Sequence, residues 1–390
     1  MKKKKKNIKP LMKLIQTKLL FDGSNEKKNC FIGIEGNEIK FVGHNQPSGT
    51  HEIIEHCEAV TPSFIDAHSH IGMVRAGEPS NEEEANEHMD SISPLSNALH
   101  SIYMDDPSFQ ESIESGILYS VVLPGSGNVI GGKAVLIRNF SSNITNAFIS
   151  DIGIKTALGY NPRSTIKWKG TRPSTRMGAI ALLRDNLLKA KKAMTLLAKK
   201  KKLIDEIDPQ LELFLDILKK KYKLMVHVHK EDDVMIMIEL VKEFKIEVIA
   251  NHLCDVHTEN IFQQLQLNKI PIIYGPLDSF PYKVELKHES WRNIEKLLRS
   301  HSKFALMTDH PVLLQRNLFY CLRHLLRFGT SKAEAISKIT KEPADIIGAS
   351  TIGQIKPGFK ASLTLWNNDP FLLSSYAKTV FAEGEIVYQE

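Results

Sequence analysis

Apolar residues fall into two kinds of pattern along the chain. Between residues 14 and 60, and again beyond 361, short β-type runs such as CFIGIEG, EIKFVG, SLTLW and TVFAEGEIVYQE are separated by Gly, Asn and Ser, which predicts small strands and turns. Between these ends, short continuous apolar runs alternate with longer stretches of helical spacing. Strands are expected at 63–66, 119–123, 152–157, 224–229, 247–252, 271–274 and 304–308, with helices at 179–200 and 234–244. Strands alternating with helices predict an α/β chain, a (β/α)8 TIM-like barrel with its remaining strand not yet placed. The β-type ends can then pair into a small β-sandwich domain built from both termini. Residues 1–61, 62–348 and 349–390 would form the front of the sandwich, the barrel and the back of the sandwich.

Composition narrows the class. At 390 residues, with 42% hydrophobic and 25% charged residues, the chain can bury a large core, and wholesale disorder is excluded. Lys+Arg 51 against Asp+Glu 45 gives +6, but the lysines at 2–6 supply five of those charges and leave +1 for the rest, so charge does not mark a specific nucleic-acid partner. The leading lysines read as an arm. Those at 199–202 and 219–221 fall near expected helix ends, where cations oppose the carbonyl end of the dipole. Cys30, Cys57, Cys254 and Cys321 include no CxxC pair, which argues against a disulfide framework or cysteine zinc site and fits a cytoplasmic setting. The 11–20 stretch is broken by Lys13, Gln16 and Lys18, and no run approaches the ~20 apolar residues of a membrane helix. A soluble, unexported protein without a membrane partner is expected.

The chemistry concentrates at strand ends. In TPSFIDAHSHIG, His68 and His70 directly follow an apolar strand, and residues i and i+2 of an extended chain project to one side, so both imidazoles can reach one cation. LMVHVHK ends a later run with His227 and His229, either of which could be the ligand. IEVIANH ends the next with His252, and FALMTDHP ends another with Asp309. A parallel barrel opens every strand's C-terminal end on one face, where these side chains can converge as metal ligands. His257 and His310 are expected as neighbours rather than ligands.

The PSFIDAHSHIG start, the HVH and ANH strand ends, TDHP and the closing IGQIKPGFKASLTLWNNDPF resemble the metal-dependent amidohydrolase superfamily over nearly the whole chain. LPGSGNVIGGKAVLIR, KTALGYNPR and TRMGAIALLRDNL look like its imidazolonepropionase-like and Xaa-Pro-dipeptidase-like branch. The resemblance implies a barrel wrapped by a sandwich of both termini. It makes His68 and His70 first-strand ligands, His227 the fifth-strand and His252 the sixth-strand ligand, and Asp309 the last-strand acid that also handles the proton. It also suggests room for two metals, with Lys155 in GIKTALG, carbamylated, as the candidate bridge. Zinc is the first choice of divalent metal for such a set, at one or two ions per chain, with manganese, iron or cobalt as alternatives.

The implied activity is hydrolysis of a C–N bond in an amide, peptide or cyclic amide, with a metal-activated water and Asp309 as general base and then general acid. A barrel that binds metal or a small ligand without turning it over is the alternative. Arg172 and Arg176 are candidates to pair with the carboxylate of a small-molecule substrate. The glycine-rich PGSGNVIGG segment reads either as an active-face loop or as a tight turn with positive φ at Gly125, Gly127, Gly131 and Gly132. Ser63, Tyr160 and the Ala361–Ser362 pair depart from the family pattern without removing a proposed ligand. A homodimer is left open.

Overall fold

A computed structural model describes residues 11–163 and 170–390, so the lysine run at 2–6 lies outside the described residues. The front of the chain supplies β1 (Met12–Phe21), β2 (Glu26–Glu35), β3 (Glu38–Gly43) and β4 (His51–Pro62). The middle supplies β5 (Phe64–Ser69), β6 (Ile117–Val122), β7 (Ile130–Arg138), β8 (Phe148–Ala157), β9 (Lys223–Val228), β10 (Val248–His252), β11 (Ile272–Tyr274) and β12 (Phe304–Leu306). The end supplies β13 (Leu363–Trp366), β14 (Ala377–Ala382) and β15 (Glu385–Gln389). The helices are α1 (Pro107–Glu114), α2 (Ile144–Ala147), α3 (Arg176–Ala198), α4 (Pro209–Leu218) and α5 (Glu231–Phe244). They are followed by α6 (Glu259–Leu267), α7 (Asn293–Arg299), α8 (Leu322–Arg327), α9 (Lys332–Ser337) and α10 (Lys341–Ile347).

Both chain ends build one sheet in the order β15-β14-β13-β4-β1-β2-β3. The expected sandwich is thus one continuous hydrogen-bonded sheet, and Ile15, Ile32, Val60, Leu363 and Phe381 from five of its strands pack in one buried cluster, which requires the sheet to bend around them. Only Ser63 separates β4 from β5, so the chain steps from this sheet into the barrel and the accessory sheet fixes where His68 and His70 begin.

The second sheet runs β12-β11-β10-β9-β8-β7-β6-β5, a barrel-like array. Its seam, between β12 and β5, is tied by Asp309 N–H donating to His68 O at 3.0 Å and His70 N–H donating to His310 O at 2.9 Å. The buried Asp66 carboxylate adds to the tie, accepting the backbone N–H of Thr308 at 3.1 Å, its hydroxyl, and the amide of Gln315 at 2.9 Å. Burial raises the Asp66 pKa to about 6 despite these donors.

Seven of these strands are the seven expected ones with shifted ends, and the strand missing from the sequence reading is β7. It pairs antiparallel with both β6 and β8, so one βα unit of the ideal barrel is replaced by hairpins. The glycine-rich segment is therefore loop over 124–129 and strand from Ile130 onward. Of its glycines only Gly132 has positive φ, at 105°, and a Cβ there would meet the Ser96 carbonyl oxygen at 2.3 Å. Positive φ is not found at Gly125, Gly127 or Gly131; at Gly125 the constraint is the Asn86 side chain, 2.5 Å from where a Cβ would lie.

Alternation along each strand sorts side chains between the helices and the barrel interior. In β9, Leu224, Val226 and Val228 pack into the helix-side core while Met225 faces the interior cluster with Ile249, Ile273 and Ala305. The same parity carries His227 and then His229 to the interior side at the strand's C-terminal end. The lysine-rich runs behave as solvated helix ends: Lys199 and Lys219 are the C-caps of α3 and α4 and are exposed. Among the described residues no helix is long and apolar enough to cross a membrane.

Candidate metal centre

The C-terminal ends of β5, β9, β10 and β12 bring two groups of ligand-type side chains to one face. His68, His70 and Asp309 form one, and His227, His229 and His252 the other, each offering ligand atoms that lie within 4.8 Å of one another. Asp309 Oδ1 is 3.4 Å from His68 Nε2 and 3.3 Å from His70 Nε2. The ring centroids of His68 and His252 are 4.7 Å apart and those of His227 and His252 4.3 Å, so the groups adjoin through His252.

His252 reaches this face against the strand alternation. Val248 and Ala250 pack on the helix side, and an extended continuation would send His252 there too, but its φ of 77° turns the imidazole into the mouth. Asp309 is likewise left-handed, at φ 53°. Non-glycine residues held in this region cost on the order of 1 kcal/mol or more and are found where the surroundings over-determine them.

The far nitrogens orient the rings. His70 Nδ1 is 2.7 Å from the Leu123 carbonyl and His252 Nδ1 3.1 Å from the Gly275 carbonyl; a carbonyl only accepts, so each Nδ1 carries the proton and each Nε2 keeps its lone pair. His68 Nδ1 stands 3.1 Å from Asn251 Oδ1, and that amide is oriented by its own NH2 donating to the Ile249 carbonyl. Partners of this kind are what fixes the tautomer of metal-binding histidines.

Lys155, the residue facing Gly132 near the end of β8, is wholly buried with Nζ 3.2 Å from His68 Nε2. Burial drives its pKa down to about 7, the cation of Lys283 adding to the effect while Asp309 opposes it. Burial likewise lowers His227 to about 4 and holds His68, His229 and His252 well below the ordinary histidine value, so all four imidazoles are neutral at pH 7. For Asp309 burial acts upward, but the close approach of His70 and His68 at 3.3 and 3.4 Å, together with Lys155, favours the ionised form more strongly whenever these bases carry protons, and holds the carboxylate well below its usual range.

Two participants were missed by the sequence reading. Glu285, on the segment between β11 and α7, is buried with Oε1 3.4 Å from His227 Nε2 and 3.9 Å from His229 Nε2. Lys283 donates to the same oxygen at 2.9 Å and the Tyr160 backbone N–H to the other oxygen at 2.8 Å. Burial alone would raise Glu285, but His227, His229 and Lys283 overcome it and keep the carboxylate ionised. Asn251 is the other. Its neighbour His252 was legible as a strand-end residue, whereas PYKVELKH follows no apolar strand end and gave no signal.

Arg176 opens α3 and donates to Oδ1 of the buried Asp233 at 2.7 Å, while its Nη2 is buried without a hydrogen bond. Asp233 and Glu285 both crowd Gly159: a Cβ there would lie 3.3 Å from Asp233 Oδ2 and 2.8 Å from Glu285 Oε2. Arg176 therefore stands one carboxylate removed from Glu285. Arg172, half-buried, precedes α3. His257 and His310 belong to neither group at the mouth.

The donor chemistry tests whether a metal fits. Nδ1 of His227, Nδ1 of His229 and Nε2 of His252 are buried without a hydrogen-bond partner, and neutral imidazoles beside a carboxylate are the ligand types that hold zinc and related divalent ions. The residues fit such an ion.

Residues 191–387 match the model of the Amidohydrolase family. The crystal structure of an amidohydrolase from Thermotoga maritima MSB8 is 30% identical and superposes with a TM-score of 0.89, covering 97% of this chain and 100% of that one. A prolidase crystallised with N-methylphosphonate-L-proline shares the fold at 13% identity, TM-score 0.62, over 97% of this chain and 100% of its own. The amidohydrolase tasK of Hapsidospora irregularis is 23% identical over 364 residues, 85% of this chain; the match spans only 36% of that protein's length. With strand-end histidines on a barrel, a sheet built from both termini and these matches, the chain belongs to the amidohydrolase family.

Proposed function

We propose that the protein is a metal-dependent hydrolase of a carbon–nitrogen bond in an amide, peptide or cyclic amide. The observation that carries this reading is the convergence of His68, His70, His227, His252 and Asp309 on one mouth, with a buried ring nitrogen on each of His227 and His252 that no protein group meets. His68, His70 and Asp309 would hold one divalent ion and His227 with His252 a second, with His229 as an alternative imidazole; zinc suits these donors best. An ion held there supplies Lewis acidity, lowering the pKa of water and polarising a carbonyl.

The chain's own residues do the rest. Asp309, ionised at neutral pH, accepts a proton from the attacking water and delivers it to the nitrogen as the C–N bond breaks. Lys155 is the bridging candidate: its neutral amine can add to carbon dioxide, forming an N–C bond and releasing a proton, and the resulting carbamate offers two oxygens. Arg172 and Arg176 are assigned to a carboxylate on the substrate, Arg176 through its spare Nη2. The four cysteines, all buried and unpaired, support a reducing setting, and we place the protein in the cytoplasm.

The test compares metal content by elemental mass spectrometry in wild type and in a His68→Ala, His70→Ala variant, beside a panel of dipeptides and cyclic amides. Wild type should hold one or two ions more than the variant and hydrolyse at least one panel member that the variant leaves intact. Equal metal content after reconstitution would overturn the reading.

A further inference from the structure

We propose that Asp255, His257 and His288 form a separate divalent-cation site, with zinc the best match, that fastens the segment after β10 to the segment leading into α7. Their ligand atoms lie within 4.8 Å of one another. This goes beyond the proposed hydrolysis and does not depend on it, since none of the three belongs to the groups at the mouth.

The geometry is that of a mixed nitrogen and oxygen donor set. Asp255 is 2% exposed, and its Oδ1 accepts the backbone N–H of His288 while Oδ2 lies 3.4 Å from His288 Nδ1. His257 Nδ1 is 2.8 Å from the Asp255 carbonyl, so Nδ1 carries the proton and Nε2 keeps its lone pair. The two rings are 4.3 Å apart at 34°, and each side chain is about two-fifths exposed, so solvent and a dissolved cation can reach the cluster. His288 Nδ1 faces Asp255 and His257 Nδ1 faces both the Asp255 carbonyl and Glu231 Oε1, 3.5 Å away, so Nε2 of His257 is the nitrogen left to a cation and the set is two nitrogens and one carboxylate, a common zinc complement.

Both segments are held by other bonds, so the donors are pre-positioned. Glu231 Oε1 accepts the backbone N–H groups of His257 at 3.0 Å and Thr258 at 2.8 Å. Asn293 donates to the His288 carbonyl at 2.9 Å. The segment carrying His288 also carries Lys283 and Glu285, so an ion here would secure the stretch that delivers Glu285 to His227.

Zinc content decides it, measured on full-length protein stripped with chelator, reloaded in zinc-buffered solution and dialysed. His288→Asn and His257→Gln should each hold one zinc fewer than wild type, and His288→Asn added to His68→Ala, His70→Ala should lower that variant by the same one ion. Zinc should also slow tryptic cleavage between residues 280 and 288 in wild type and not in either single variant. Thermal melts of the metal-free proteins report folding. Zinc content unchanged in both single variants, or lowered in only one, overturns the three-residue site, whereas loss only in the His68, His70 variant supports the mouth and overturns this site.

Discussion

Nζ of Lys155 lies 3.2 Å from Nε2 of His68 in a fully buried contact between two bases. Because His68 Nδ1 is committed to Asn251, the amine donates and Nε2 accepts. A Lys pKa lowered from 10.5 to about 7 by burial means that the folded chain binds fewer protons there than the unfolded chain between those values. Metal-free protein should therefore gain stability from this group as pH rises from about 7 toward 10, by at most ~1.4 kcal/mol per pH unit. Urea unfolding at a series of pH values should show this slope in wild type and a flatter one in Lys155→Met; equal slopes would refute it.

Asp309→Asn keeps the size and one oxygen but loses the proton carrier. Metal content should stay near wild type while kcat falls by about 10³, within the range general acid–base groups contribute. A near-normal kcat would remove Asp309 from the proton path.

Asn251→Leu removes the acceptor that fixes the His68 tautomer without touching a proposed ligand. Chelator competition should show metal held ~10–100-fold more weakly, as for other partners of metal-binding histidines. Asn251→Asp, which restores an acceptor, should recover much of it.

Glu285→Gln would leave Lys283, whose side chain is 9% exposed, as a buried cation without its counter-charge. Breaking one side of such a pair costs about 3–5 kcal/mol, read by urea unfolding, and Glu285→Gln with Lys283→Met should recover most of it. If the single variant is as stable as wild type, the pair is not what holds this segment.

The legibility of this chain follows from where information is local. His68, His70, His227 and Asp309 end apolar runs, so their common destination can be read once a parallel barrel is assumed. The choice between His227 and His229 cannot, because i and i+2 share a side, and both come to the mouth with Nδ1 unpartnered. His252 was found for an incomplete reason: its position ends a strand, but only the backbone turn at φ 77° aims it inward. β7 escaped because Gly131 and Gly132 interrupt its apolar pattern, and its reversed direction leaves no mark on composition. Glu285 and His288 lie on the long connection between β11 and α7, whose path is set by tertiary contacts such as Tyr160 N–H to Glu285.

The reversed course of β7 also divides the connections unequally between the two ends of the barrel. The turn from β6 into β7 opens beside Leu123, whose carbonyl orients His70, whereas the link from β7 to β8 opens at the opposite end, where Arg138 pairs with Glu383 of the terminal sheet. Lengthening the first would reshape what the mouth admits. Lengthening the second would change only how the barrel sits on its sheet, so diversity in substrate choice among related chains should accumulate in 123–129 and not in 139–147.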